Sequence, residues 1–341
     1  MNFELLKEMC LLNGTSGDEK TVRDFIISKL PEDCDYTVDP LGNLIVNKKG
    51  ETEPKSKVAL FAHMDEVGFI VTYITDEGFV NVASVGGIDN SALFGKKLTI
   101  NDCVGVAGAK AIHQCSSDEA KKIPEITDVS VDFGFESREE AEKYISLGDF
   151  GYFKSDFIEF GNHMIKSKAL DDRLGCAIML ELLQGKSKIN YTCVFTVQEE
   201  IGTRGATVSA YTVKPDYAIV IETTTASDIP DTPENKKVCK VGKGAVVSFM
   251  DRGTIYNKDL YKNAREIANK NGIANQTKTV VAGGNDASAI HKAAGGIKTV
   301  AVSLPCRYIH SSASVGSKAD MENVKALAKA LLEEFANGQI C

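Results

Sequence analysis

The apolar run at 192–197 (TCVFTV) is followed, one residue later, by two adjacent carboxylates, Glu199 and Glu200, and then by the glycine-bearing stretch IGTRGA at 201–206. A continuous apolar run of this kind reads as a strand buried on both faces, and the glycines after it read as a turn. Two acids at the end of such a strand are costly unless something positive compensates them. Neighbouring residues point in different directions, so the pair can divide labour. One can bind a metal ion while the other faces a water as general base. Taken alone, the pair reads equally well as a solvated strand end.

Apolar runs of the same type recur at 58–62, 217–221 and 299–304. They alternate with helical patterns: one at 174–183, one marked by Leu260, Ala264 and Ile267, and a last one that buries Val324, Leu327, Leu331 and Phe335 and stops at Gly338. This alternation predicts an α/β fold, a central sheet with helices on both faces. At the N-terminus, Phe3, Leu6, Met9 and Cys10 share one helical face. Ser16 and Glu19 have the spacing of a capping box ahead of a second helix carrying Val22, Ile26 and Leu30. A hairpin with turns near 40–43 and 48–50 follows. Between about 67 and 163 the character changes to short β-like runs at 69–74, 79–83, 97–100 and 104–111, with one helix expected over 137–147. This stretch reads as a small β-rich domain inserted into the larger one.

Lys plus Arg number 39 and Asp plus Glu 47, a formal net charge of −8. That balance argues against nucleic acid as a partner, since such proteins usually carry a basic face. No stretch approaches a membrane span, and the first residues lack the pattern of a signal peptide. Nine cysteines, an odd number with no C-x-x-C pair, do not suggest a disulfide framework or a zinc knuckle. Reduced thiols in a cytoplasmic protein are the simplest reading, with Cys176 and Cys193 as small core residues.

The other candidates for chemistry also lie at or just past apolar runs. In His63-x-Asp65, alternation puts both side chains on one side of the chain. The imidazole can then bind a metal while Asp65 accepts a hydrogen bond from its other nitrogen. In isolation this motif is more often a surface turn. Asp171 and Asp172 open a helix, where an acid is also an ordinary cap. Glu222 ends the run 217–221, and His310 follows the run 299–304. His113, His163 and His291 carry no such signal. Together, His63, Asp171, Glu200, Glu222 and His310 make a set of two imidazoles and three carboxylates. In open α/β sheets the carboxyl ends of strands line the ligand crevice. This donor set suits Zn²⁺, Co²⁺ or Mn²⁺, and with one shared carboxylate it can hold two ions ~3.5–4 Å apart.

The segments AHMDEVGFIV at 62–71, GGIDNSALFGKKLTI at 86–100, GVAGAKAIH at 105–113, KALDDRLG at 168–175, QEEIGTRGA at 198–206, GGNDASAIH at 283–291 and LPCRYIHSS at 304–312 resemble, in order, those of the dimetal aminopeptidases of the tetrahedral, dodecameric type. Some relatives of that family are labelled endoglucanase. The resemblance implies a three-layer α/β/α metallopeptidase domain (1–66 and 165–341) interrupted by a small β-barrel-like dimerisation domain (67–164). It implies removal of N-terminal residues from peptides, two ions (zinc or cobalt, with manganese as a third option), and a homo-oligomer of dimers reaching a dodecamer. His63 would be a terminal ligand supported by Asp65, Asp171 the bridge, with a cis peptide to Asp172, and Glu199 the general base. Glu200 and His310 would hold the second ion. Glu222 stands where the family usually has aspartate, and Asp228 is a nearby carboxylate. Gly283–Asp286 reads either as a loop near the site or as an ordinary turn, and Arg252 and Arg307 are basic groups that could meet an acidic substrate but more often would sit in surface salt bridges. The competing activities are an amidase or deacylase on small molecules, a glycoside hydrolase, and a non-catalytic relative.

Overall fold

The computed structural model describes residues 1–338. The chain opens with helices α1 (Phe3–Leu11) and α2 (Lys20–Ser28), then strands β1 (Cys34–Val38), β2 (Leu44–Lys48) and β3 (Val58–His63). Six strands follow: β4 (Gly68–Ile74), β5 (Val80–Val85), β6 (Lys97–Ile100), β7 (Cys103–Gly108), β8 (Ser130–Asp132) and, after a single turn of helix α3 (Arg138–Ala141), β9 (Phe150–Phe153). Strands β10 (Ile158–Phe160) and β11 (Met164–Ser167) lead into α4 (Leu170–Gln184), β12 (Tyr191–Thr196), α5 (Arg204–Val213) and β13 (Tyr217–Thr225). The chain continues through β14 (Ala245–Val247), α6 (Lys258–Lys270), β15 (Asn275–Thr277), α7 (Ala287–Ile290), β16 (Lys298–Cys306), β17 (Ser314–Ser317) and α8 (Lys318–Ala336).

Eight strands form one mixed sheet in the order β1-β2-β12-β3-β13-β16-β14-β15. Its centre, β12-β3-β13-β16, is parallel. Strand β3 is buried at every position, which is why its sequence reads as an unbroken apolar run rather than an alternation. Alternation decides which layer each side chain joins. Leu60 and Ala62 pack with α1, α4, α6 and α8 on one face, whereas Ala59 and Phe61 pack with α5 and α7 on the other. The result is the three-layer α/β/α architecture expected from the sequence.

The six strands from β4 to β9 close into a barrel in the order β4-β5-β8-β7-β6-β9. It has a core of its own, built from Phe69, Val80, Leu98, Ile100, Val131 and Phe153 among others. Strands β10 and β11 pair instead with β17 in a separate three-stranded sheet.

Three local expectations change. The helix expected over 137–147 is only Arg138–Ala141. Asn101 donates to the Tyr144 carbonyl at 2.8 Å and Asp149 accepts the Ser146 amide at 2.7 Å, so the later turns give their backbone groups to the β6–β7 turn and to the approach to β9. Ser16 and Glu19 do not form a capping box, because each is engaged by a more distant segment described below; Glu19 occupies the α2 cap position without a side-chain capping bond. Glu222 lies within β13, which runs on to Thr225.

Arg173 is wholly buried and ties this fold together beneath the sheet's carboxyl end. Its guanidinium donates to the carbonyls of Met64 (2.8 Å), Met9 (2.6 Å), Leu12 (3.1 Å) and Gly14 (3.2 Å), and lies 3.5 Å from Glu66. Glu66 also accepts from Lys168 at 2.5 Å. Arg173→Met keeps volume but strips these acceptors of their donor. A loss of about 3–5 kcal/mol in unfolding free energy is expected, measured by urea denaturation, against no change for a substitution at the exposed Lys121.

Candidate metal centre

The parallel strands deliver their ends to one place. His63 closes β3, with Thr196 of β12 in register beside it. The 198–200 segment follows β12, Glu222 projects from β13, and His310 lies four residues past the end of β16. Asp171 and Asp172 enter from the start of α4, joined by a cis peptide bond. Gly175 allows that approach: a Cβ there would stand 2.4 Å from Asp172 Oδ2 and 2.8 Å from the Ala62 Cβ. The barrel reaches the same place through Gly86, at φ +88°, where a Cβ would meet Val67 at 2.9 Å and Glu200 at 3.2 Å.

The two imidazoles face a shared carboxylate. His63 Nε2 lies 3.3 Å from Asp171 Oδ1 and 3.7 Å from Glu222 Oε1. His310 Nε2 lies 3.2 Å from Asp171 Oδ2 and 3.3 Å from Glu200 Oε2. All five residues expected to ligate metal are thus brought together. Glu199 sits half-buried beside Glu200.

Asp65 acts differently from the expectation. The His63 Nδ1 partner is the Asp65 carbonyl at 2.9 Å, with the carboxylate farther off at 3.5 Å. The carboxylate instead accepts the amides of Glu199 (3.0 Å) and Glu200 (3.1 Å) and the hydroxyl of Ser16 (2.6 Å).

Asp228 is committed elsewhere. It forms a two-pronged pair with Arg307 at 2.7 Å for each contact and accepts the Val241 amide. This removes Asp228 as a ligand and occupies Arg307, as fork geometry favours. His113 and His163 are exposed, and His291 bonds the Ala287 carbonyl of its own helix.

Two acids join the site that the sequence did not single out for it. Asp172 is buried, caps α4 by accepting the Gly175 amide at 2.9 Å, and leaves Oδ2 without a partner. Asp286 accepts from Thr196 Oγ1 at 2.6 Å and leaves Oδ1 without a partner. The sequence signal for Asp172 was masked by its capping position; that for Asp286 was the GGND turn itself.

The electrostatics follow from crowding. Burial pushes Glu199, Glu222 and Asp172 well above the usual carboxylate range, Glu200 up to about 7 and Asp286 up to about 6. Burial opposes charge on the imidazoles, yet Glu222 and Asp171 raise His63 well above its ordinary value. Asp171 and Glu200 likewise raise His310 to about 9. Burial opposes ionisation of Asp171, but the His310 and His63 imidazoles that face it outweigh that and hold it low. Protons and imidazolium here stand where a cation would balance the charge.

The residues fit such a cation. His63, Asp172 and Glu222 offer ligand atoms within 4.8 Å of one another, as do His63, Asp171 and Glu200. Asp171 Oδ1 and Asp172 Oδ2 are buried without hydrogen-bond partners. Imidazole nitrogen and carboxylate oxygen without thiolate suit a borderline divalent ion. The nearby Cys176 thiol donates to the His63 carbonyl.

Such a site at the carboxyl ends of a parallel sheet defines a metal-dependent hydrolase. The family model of the M42 glutamyl aminopeptidases matches residues 42–327, and the chain belongs to that family. A putative aminopeptidase of Acetivibrio thermocellus is 38% identical over 333 residues, covering 96% of this chain and 98% of the relative. An aminopeptidase from the archaeon Desulfurococcus kamchatkensis superposes with a TM-score of 0.91 at 34% identity, covering 97% of this chain and 94% of that one. A TET1 peptidase of Pyrococcus horikoshii, described as assembling into a tetrahedron or a large octahedral shell, gives 0.85 at 36% identity, covering 96% and 98%. The protein is a metal-dependent aminopeptidase.

Metal must displace protons from this site. His310 keeps its proton up to about 9 and Glu200 up to about 7. Affinity is therefore expected to rise with pH, by up to ~10-fold per unit for each proton displaced. His63 and Glu222, whose proton affinities are also raised, add to the protons that metal must displace. Calorimetric titration with Zn²⁺ in buffers of different ionisation enthalpy measures the released protons directly.

Proposed function

We propose that the site holds two divalent ions, zinc or cobalt with manganese as a third option, and that Glu199 is the general base for removing N-terminal residues from peptides. The observation that carries this reading is Asp171, whose two carboxylate oxygens face different imidazoles at 3.3 and 3.2 Å. His63 and Glu222 would serve one ion, Glu200 and His310 the other, and Asp171 both. Bound there, the ions supply a water of lowered pKa and polarise the scissile carbonyl.

The chain's own residues do the rest. Glu199 takes the proton from the attacking water and returns it to the leaving amine. Its raised proton affinity suits both halves of that transfer. Asp65 holds the backbone on which Glu199 and Glu200 ride. The free amino group of the substrate is drawn to the surrounding carboxylates, which discriminates against blocked peptides.

The division into 1–66 with 165–341 and 67–164 belongs to the same reading, with 67–164 as the dimerising part of a homo-oligomer built up to a dodecamer. The self-contained barrel core supports it, as do the exposed Val104 and Val106 on β7 and Ile112 beyond it. No helix of the described residues is long and apolar enough to cross a membrane, and a cytoplasmic location is part of the proposal.

Three measurements test this. After chelation and reloading with Zn²⁺, Co²⁺ or Mn²⁺, cleavage of aminoacyl anilides is expected only when the amine is free. No cleavage despite bound metal would shift the assignment to a deacylase or another amidase. Glu199→Gln should retain metal and lose ~10²–10⁴-fold in kcat; full activity would remove Glu199 from the mechanism. Val106→Glu should lower the particle mass seen by light scattering, and an unchanged mass would place the contact elsewhere.

A further inference from the structure

The segment Thr15-Ser16-Gly17-Asp18-Glu19, between α1 and α2, is not consumed by capping α2. Each of its polar side chains reaches a different part of the molecule. Thr15 Oγ1 donates to the Glu66 carbonyl at 2.8 Å, at the point where the chain leaves β3 for the barrel. Ser16 Oγ donates to Asp65 Oδ2 at 2.6 Å. The Tyr152 hydroxyl of β9 donates to Asp18. Glu19 Oε1 accepts the Gly17 amide at 2.8 Å and the Gln198 amide at 3.0 Å. Gly17, at φ +95°, makes the turn possible and lies against the ring of Phe150.

Three consecutive amides before and within the carboxylate pair are therefore held by two buried carboxylates. Gln198 N–H goes to Glu19, Glu199 N–H to Asp65 Oδ1, and Glu200 N–H to Asp65 Oδ2. Gln198 needs such restraint. It sits at φ +56°, a left-handed conformation that a residue with a Cβ keeps only where its surroundings over-determine it. Ser16 and Glu19 are themselves buried, at 3% and 5% exposure, and among the described residues their side chains hydrogen-bond Asp65 and the Gly17 and Gln198 amides, not a metal-binding side chain.

We infer that Ser16 and Glu19 are positioning residues for the hydrolytic reaction. Glu19 fixes the backbone of Gln198, and Ser16 fixes Asp65, so that together they aim Glu199 at the reacting water and Glu200 at its ion. This inference rests on the proposed role of Glu199. It adds that the aim is set from the N-terminal loop, with Glu19 lying 179 residues away from Gln198 in sequence. The two act on adjacent points of one segment, so their effects should couple rather than add. A glutamine in place of Glu19 retains an oxygen that can accept the Gln198 amide, so it should preserve most of the function that an alanine removes.

The test uses the full-length, Zn²⁺-loaded enzyme and a free-amine anilide substrate. Ser16→Ala and Glu19→Ala are each expected to lower kcat by ~10–100-fold while KM stays within about threefold. The double variant should fall well short of the product of the two, and Glu19→Gln should recover most of the loss. Normal kcat in Ser16→Ala and Glu19→Ala, with only a lowered melting temperature, would overturn the inference in favour of a purely structural loop. A rise in KM at unchanged kcat would overturn it in favour of substrate binding. Ser16→Ala removes one oxygen atom and keeps the test open even where Glu19→Ala does not fold. Glu199→Gln, assayed alongside, separates the two readings. An active Glu199→Gln sinks the assigned base, whereas an inactive one beside a fully active Ser16→Ala sinks only the positioning role.

Discussion

Negative charge concentrated at the carboxyl ends of four parallel strands is the constraint to which the rest of the structure answers. Asp65, Asp171, Asp172, Glu222 and Asp286 are all buried there, with Glu199 and Glu200 beside them. Isolated ionised carboxylates in such surroundings would neutralise rather than stay charged. Asp65 is instead met by the amides of Glu199 and Glu200, whereas Asp172 and Glu222, met by one amide each from Gly175 and Thr223, have their proton affinity raised. The fixed cations Lys168 and Arg173 are engaged by Glu66 and by main-chain carbonyls. They hold the β3–β4 junction in place without neutralising the cluster. What remains is a deficit of positive charge between His63 and His310, which a metal ion would fill.

The barrel is attached where this matters most. It leaves the sheet directly after His63-Met64-Asp65-Glu66 and sends the loop beyond β5 back over the site, with Gly86 against Glu200 and Gly87 near His310. Thr15 meets Glu66 at its entry, and Tyr152 meets Asp18 at its exit. An inserted domain that touched the sheet only through a linker would leave Glu200 and His310 open to water on that side. A surface cavity near Lys57, Val58 and Tyr191 lies under the opposite ends of β3 and β12, away from these carboxylates.

Much of this was legible in the sequence, for a physical reason. Strands β3, β12, β13 and β16 are buried on both faces, so each writes an unbroken apolar run, and the polar residue that ends or interrupts such a run is conspicuous. His63, Glu199, Glu200 and Glu222 were visible on that ground, and the alternation in His63-x-Asp65 placed both on one side. The short strands β8, β9, β14 and β15 are three or four residues long, too short to show a period, and were missed. Ser16 and Glu19 were misread because a capping box and a pair of long-range tethers have the same composition and spacing. Only the tertiary partners, Asp65 and Gln198, distinguish them. Asp172 was legible only as a cap, which it also is, and Asp286 only as part of a turn.

Glu222 shows how backbone and side chain are adjusted to one another. It is held inside β13, in register with Ser303 of β16, and its Oε2 is fixed by the amide of Thr223 at 2.9 Å. With the backbone so constrained, only the length of the arm decides where the carboxylate falls. Its free oxygen comes to 3.7 Å from His63 Nε2, slightly farther than Asp171 at 3.3 Å. An aspartate at this position would end roughly 1.5 Å shorter and could not make both contacts from the same backbone. The neighbouring Asp172 bears on the same point, since His63, Asp172 and Glu222 together offer three atoms within 4.8 Å of one another. A longer carboxylate on β13 and a second acid at the start of α4 therefore enclose the His63 side of the site more tightly than the His310 side, where the imidazole keeps about a third of its surface open. The two halves of the centre therefore differ in solvent access, with the His310 side the more open of the two.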